Sequence, residues 1–222
     1  MKTPPIPQSI KLPRTDQDNG KYYISYSQHS KWRASKREYI RIYFFGEPFI
    51  GNTYTAFGKK VGEAIEKKDY SEFSAKERRV LKKVTRLDLF EKRVELDLGP
   101  FFVLCYIDTC DKDLTTIIDY KTGDLDKERY YRDDFYDQLA IYAAACKRET
   151  GRLPKTARVE LIERRGNPFK GIPLTVGEEV VKIRKEINGT RVKRAIHDFS
   201  RTALEIHHYF RVFNELKQII VC

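Results

Sequence analysis

Two apolar runs, each closed by an aspartate, constrain this chain more than any other feature. The first is Val103-Leu-Cys-Tyr-Ile-Asp108, and the second is Leu114-Thr-Thr-Ile-Ile-Asp119, continued by Tyr120-Lys121-Thr122-Gly123. Their β-branched content, with Asp111-Lys-Asp113 between them, predicts a hairpin. Residues two apart on a strand share a face, so Asp119 and Lys121 project together while Ile118 and Tyr120 face away. Carboxylates and a lysine delivered side by side from sheet ends are the parts that metal-assisted phosphodiester hydrolysis needs. The plainer reading is a pair of ordinary hairpin-end residues. Both aspartates follow an isoleucine at the end of an apolar run, however, where an unpaired carboxylate is costly without a cation nearby.

An acidic residue two before a lysine is weak evidence by itself, and the chain has three such tripeptides: Glu66-Lys67-Lys68, Asp119-Tyr120-Lys121 and Glu215-Leu216-Lys217. The first and third fall in predicted helices, where positions two apart do not share a face. Only the middle one ends a β run, and only it has a second carboxylate closing the preceding strand.

The surrounding pattern predicts an α/β chain. Residues 1–20 hold four prolines and little periodicity, which reads as a flexible arm. Ser25 or Ser27 caps a helix expected to run to about Tyr39, and further helices are expected over Thr55–Lys68 and Ala75–Val84. Glu91 to Leu98 alternates, with Val94, Leu96 and Leu98 on one face and Arg93, Glu95 and Asp97 on the other. Gly99-Pro100 turns it into the next strand, giving a three-strand meander. A helix is expected over Tyr130–Arg148, with Phe135, Leu139, Tyr142, Ala143 and Cys146 as its apolar stripe. A strand over 157–162 then returns as a βαβ crossover would. Thr175-Val-Gly-Glu178 reads as a capping box opening a helix to about Ile187, closed by Asn188-Gly189. A last helix is expected over Val192–Leu216.

The net charge of +11 is unevenly spread. Residues 1–68 carry 13 Lys and Arg against 6 Asp and Glu, and residues 151–222 carry 15 against 8, whereas the middle carries 15 against 18. Basic flanks around an acidic centre suit a polyanion gripped at its phosphates while carboxylates hold divalent cations. The four cysteines, at 105, 110, 146 and 222, form no C-x-x-C pair and lie mostly in apolar runs. Reduced thiols and a cytoplasmic location are expected. No apolar run approaches the length of a membrane span, and the first residues lack a signal-peptide apolar region.

Ile107-Asp108, then Ile117-Ile-Asp-Tyr-Lys-Thr-Gly123, then Gln138-Leu-Ala-Ile-Tyr142 resemble the RecB-like branch of the PD-(D/E)XK nuclease superfamily. The last segment looks like that family's Q-x-x-x-Y helix motif. Ser25-Tyr-Ser27 and the segment from Phe57 to Glu66 look like its opening elements, so the resemblance spans roughly residues 22–165. It implies a restriction-endonuclease-like mixed sheet flanked by helices, with the core over about 91–165 and a C-terminal helical pair over about 176–218, all within a nuclease domain of residues 21–222.

Carried over residue by residue, the resemblance makes Asp108 and Asp119 metal ligands, completed by the Tyr120 carbonyl, with Lys121 orienting the attacking water. Glu66 and Glu95 become further metal carboxylates. Gln138 and Tyr142 would buttress the site or touch DNA, and Ser25, Ser27, Lys59 and Lys60 are further supporting or nucleic-acid-binding positions. All-oxygen ligation implies Mg²⁺ or Mn²⁺. The family's early helix often carries a metal-binding histidine four residues after a glycine; counted from Gly58, that position is Gly62 here. Relatives with an iron–sulfur cluster use an early cysteine and a late cysteine group, and with no cysteine before Cys105 no cluster is expected. The implied activity is metal-dependent hydrolysis of DNA, single-stranded or end-bearing duplex, by a stand-alone exonuclease of recombination, repair or replication. A binding module that kept the fold, and a restriction-type endonuclease, are the alternatives.

Overall fold

The computed structural model describes residues 7–133 and 136–221. The second half of the expected arm lies against the body of the molecule. Ile10 and Leu12 are buried in the main core, and the buried Asp16 accepts from the Asp18 N–H at 2.8 Å and pairs with Arg93 at 2.5 Å. Two inserted aliphatic side chains, at about 1.5–3 kcal/mol each, and an antiparallel bridge between Thr15 and Tyr22 seat this proline-rich segment. This segment leads into β1 (Tyr22–Ser25).

Ser25 ends β1 and caps α1 (Tyr26–Ala34), its side chain accepting from the Gln28 N–H. Ser35 stops α1 and caps α2 (Lys36–Tyr39), so the single expected helix is two, followed by a π-helical turn over Ile40–Phe44. Next come α3 (Thr53–Lys67), capped by Asn52, and α4 (Ala75–Leu81), where Ser74 and Glu77 form a reciprocal capping box. The meander is as expected: β2 (Leu89–Asp97), β3 (Phe101–Cys110) and β4 (Thr116–Gly123).

The expected 130–148 helix is instead α5 (Glu128–Arg132) and α6 (Gln138–Thr150). Phe135 of the expected stripe lies outside the described residues. The break is held by distant cations: Lys185 Nζ donates to the Tyr131 and Asp133 carbonyls at 2.7 Å, and Arg191 reaches the carbonyl of Tyr136 at 3.4 Å. From Gln138 to Cys146 every residue of α6 is buried, so it is an all-round core helix rather than one with a single apolar stripe.

β5 (Thr156–Asn167) runs parallel to β4, completing the crossover. The expected helix after it is a strand. β6 (Ile172–Lys185) pairs antiparallel with β5, and Asn188 caps the helix that follows, α7 (Gly189–Val221), by accepting from the Arg191 N–H. The alternation of Val181, Ile183 and Lys185 against Lys182 and Arg184 decides for strand over the capping-box look of Thr175 and Glu178. The C-terminal helical pair is therefore one strand and one long helix.

The six strands form one mixed sheet between two helical layers. On one face α1, α6 and α7 cover Ile117, Val159, Leu161 and Ile183; on the other, α3 and α4 cover Ile162 and Val176. Cys105, Cys110 and Cys146 are buried free thiols. Among the described residues no helix is long and apolar enough to cross a membrane.

Candidate active site

One edge of β3 changes partners partway along, and the site lies where it does. β2 takes the whole of one edge, from Phe102 to Cys110. The other edge pairs with β1 over Phe101–Leu104 and with β4 only at Thr109 and Cys110. Between those contacts β1 has ended at Ser25 and β4 has veered off to join β5. Asp108 sits in the resulting fork, and its Oδ2 accepts the Tyr120 N–H at 2.5 Å, a donor that the parting strands leave without a ladder partner.

The register aligns three carboxylates across the fork. Thr109 pairs with Ile118, so the next step sets Asp108 opposite Asp119. Phe90 pairs with Thr109 and Lys92 with Ile107, which leaves Glu91 facing Asp108 from β2. Glu91 has φ +46°, a left-handed backbone at the one unpaired step of an otherwise continuous ladder. Like charges directly opposed across strands repel. Burial and the Asp119 charge push the Asp108 carboxyl up to about 7, and desolvation together with Glu66 and Asp119 raises Glu91.

Lys121 supplies the single ammonium in this row. Its Nζ lies 2.8 and 2.7 Å from the two oxygens of Asp119, which has no exposed surface. Burial pulls the Lys121 ammonium down, but the charges of Asp119 and Asp108 outweigh it and hold it above its ordinary value. On its far side Asp119 is fixed by a buried chain in which Tyr136, not anticipated from the sequence, joins Gln138 and Tyr142. Tyr136 OH donates within reach of Asp119 Oδ2 at 3.2 Å and lies 2.6 Å from Gln138 Oε1, while Gln138 Nε2 donates to Tyr142 OH at 2.8 Å. Gln138 and Tyr142 are thus at the site as supports, one helical turn apart on α6.

Two cavities meet at Glu91, Asp108 and Lys121. One, of about 650 Å³, runs under α3 and is lined by Tyr54, Lys59, Gly62, Glu63 and Glu66. The other, of about 620 Å³, is lined by Ser25, Ser27, Tyr130, Tyr136, Gln138 and Tyr142. Gly58 lets α3 approach this closely, since a Cβ there would stand 3.2 Å from Thr122 Oγ1. A Cβ on Gly62 would meet nothing within 4 Å, so the position of the family histidine is open space on the cavity wall.

Two expected site residues are elsewhere. Glu95 faces Leu104, four residues along β2 from Glu91, and its carboxylate is bound by Arg93 at 2.9 Å. Lys60 points off the cavity and pairs with Glu72 at 2.9 Å. Lys185 and Arg191 are buried and serve the α5–α6 break. Trp32 packs in the core with Nε1 donating to Glu205. Of the three histidines on α7, His207 accepts from the Lys11 N–H.

The donor set fits a hard divalent cation. Three carboxylates face one another with one ammonium to balance them, a deficit of positive charge that a cation on oxygen ligands removes. Among the described residues no three acidic, His or Cys side chains are yet drawn around one point. Lys121 closes on Asp119 instead.

No curated protein matches the chain in sequence. A solved structure described as a "putative exonuclease", from Eubacterium rectale, superposes with a TM-score of 0.54 at 15% identity, covering 91% of this chain and 87% of that one. At that identity the likeness speaks for the fold alone. In sequence, residues 54–218 match the PD-(D/E)XK nuclease superfamily, a span that holds the α3 wall, Asp108, Asp119, Lys121 and Gln138. The chain belongs to the PD-(D/E)XK nuclease superfamily.

Proposed function

We propose that this nuclease is a metal-dependent deoxyribonuclease acting from strand ends, with Asp108, Asp119 and Lys121 at its centre. The observation that carries the reading is the row Glu91, Asp108, Asp119, closed by Lys121 where two cavities join. Asp108 and Asp119, with the Tyr120 carbonyl and Glu91 as a third carboxylate, would hold Mg²⁺ or Mn²⁺. Glu66, on the α3 wall of the same cavity, would be a further carboxylate toward the cation. When bound, the cation supplies Lewis-acid polarisation of the phosphoryl oxygen and a more acidic water. Lys121, released from Asp119, orients the attacking water and offsets charge building on the phosphoryl oxygens. Tyr136, Gln138 and Tyr142 fix the Asp119 carboxylate, and Lys59 faces a phosphate along the cavity.

The two joined cavities give a strand a way in and a cleaved nucleotide a way out, which supports an exonuclease. The family resemblance and the Eubacterium rectale likeness point the same way. A role in recombination, repair or replication follows from that activity. Three buried free thiols support a reducing, cytoplasmic location.

The test is a time course on end-labelled single- and double-stranded DNA with Mg²⁺, Mn²⁺ or EDTA, alongside Lys121→Ala. Metal-dependent degradation lost in the variant supports the reading, and a covalently closed circle should resist cutting. A circle cut as fast as a linear strand overturns the end requirement. A second reading, a nucleic-acid-binding module, is favoured by the open Gly62 position. Salt-sensitive binding with no cleavage in either metal would replace the nuclease with it.

A further inference from the structure

The rim of the α3 cavity carries an exposed aromatic that the catalytic reading does not use. Phe169 stands at the tip of the β5–β6 hairpin, in the one-turn 3₁₀ segment Pro168–Lys170, and is 87% exposed. Its ring centroid lies 6.2 Å from that of Tyr54, which lines the cavity leading to Asp108 and Lys121. The guanidinium of Arg164 stacks on the Tyr54 ring at 4.1 Å, and Arg164 is itself 8% exposed with an Nε that has no hydrogen-bond partner among the described residues.

The tip is built to hold this shape. Gly166 has φ +101°, and a Cβ there would lie 2.1 Å from the Pro173 carbonyl oxygen, so only glycine closes the hairpin. Asn167 Oδ1 accepts from the Phe169 N–H at 3.0 Å, fixing the backbone on which the ring is carried. A phenylalanine this exposed on a braced tip gains little for the fold, because it buries little area. The adjacent Lys170, Arg164 (whose Nη2 also reaches Asp124 Oδ2 at 3.5 Å) and Lys59 on the cavity wall that Tyr54 shares suit a polyanion.

We propose that Phe169 and Tyr54, backed by Arg164, form a stacking platform for unpaired bases of a DNA strand entering the α3 cavity. Aromatic faces take any base, whereas a paired base in a duplex keeps its faces covered by its neighbours; the platform therefore selects single-stranded DNA or a frayed end. The inference rests on the nuclease reading for the direction of the strand, but stacking is measurable without cleavage.

The experiment is equilibrium binding in EDTA of a fluorescent single-stranded oligonucleotide and of an abasic strand with the same phosphates. Wild type is compared with Phe169→Ala and Phe169→Trp. The expected result is binding of the base-bearing strand about 5- to 150-fold weaker in the alanine variant, the range that one base–aromatic stack carries, with the abasic strand unaffected. The tryptophan variant should retain affinity, and its fluorescence should be quenched by the base-bearing strand only. Equal affinity of wild type and Phe169→Ala, or equal losses on both strands, would overturn the platform. Cleavage in Mn²⁺ is scored separately: stacking without cleavage rejects the nuclease and keeps the platform, and cleavage without stacking does the reverse.

Discussion

Replacing Lys121 by methionine separates what this side chain does for the fold from what it does for chemistry. Its ammonium sits on both oxygens of Asp119, which is fully buried, and faces Asp108 as well. Breaking a fully buried pair by removing one partner costs about 3–5 kcal/mol, since it strands the other charge. The Lys121 side chain is 27% exposed, so solvent screens part of that, and a loss of about 2–3 kcal/mol is the discounted figure. For a chain of this size, that is a fall in Tm of roughly 4–12 °C in EDTA. Divalent cation should then stabilise the variant more than the wild type, because the cation no longer shares Asp119 with an ammonium. Cleavage should be lost even in saturating metal. Thermal melts with EDTA and Mn²⁺, run beside the nuclease time course, read all three effects. An unchanged Tm in EDTA would mean that Asp119 is solvated and the pairing argument is wrong. Undiminished cleavage would remove Lys121 from the mechanism.

Glu91→Gln should weaken Mn²⁺ binding by about tenfold or more, measured by titration calorimetry, while Glu95→Gln leaves it unchanged; the reverse pattern would return Glu95 to the site. Gly62→Ala should raise stability by about 0.5–1 kcal/mol in urea unfolding, because its Cβ meets nothing and the helix loses a flexible residue. A destabilised variant would show that the cavity wall is not open there. His29 is stacked on Phe199 at 4.1 Å, and burial, followed by the charge of Arg33, lowers its pKa from 6.5 to about 4. It therefore stays neutral in the fold while the unfolded chain takes up a proton below pH 6.5. Its contribution, about 3 kcal/mol, is complete above pH 6.5 and is lost as pH falls to 4. His29→Leu should flatten the stability profile across that window, and an unaltered slope would assign it to other groups.

Much of the fold was legible because local pattern and tertiary environment agree. The apolar runs of β3 and β4 are buried where their composition says they should be, and Ser25, one of the two expected caps, caps α1. The errors arise where distant residues decide. Nothing near Asp133 announces that α5 and α6 are separate, since the groups that satisfy the freed carbonyls are Lys185 and Arg191, more than fifty residues on. The turn Thr175–Glu178 resembles a capping box, but Glu163 of β5 accepts from the Glu178 N–H and overlies Gly177, where a Cβ would stand 2.2 Å from it. Pairing with β5 claims that backbone for a strand.

The site divides along the same line. Asp108, Asp119 and Lys121 were legible because strand periodicity and the ends of the apolar runs place them. Glu95 was the β2 carboxylate expected at the site, whereas the β2 carboxylate opposite Asp108 is Glu91. The discriminating signal was nonetheless in the chain. Gly99-Pro100 is a two-residue turn, and the Leu98 N–H donates to the Phe101 carbonyl, so Leu98 faces Phe101. Counting outward from that pair, Glu95 meets Leu104 and Glu91 meets Asp108, as the ladder has it. A hairpin turn fixes register, and register fixes which carboxylates meet. A residue's place in an alternating strand says which face it takes, but only the count from the turn says what it faces. That count sets Glu91 opposite Asp108, at the step where the backbone leaves the extended region and the ladder opens.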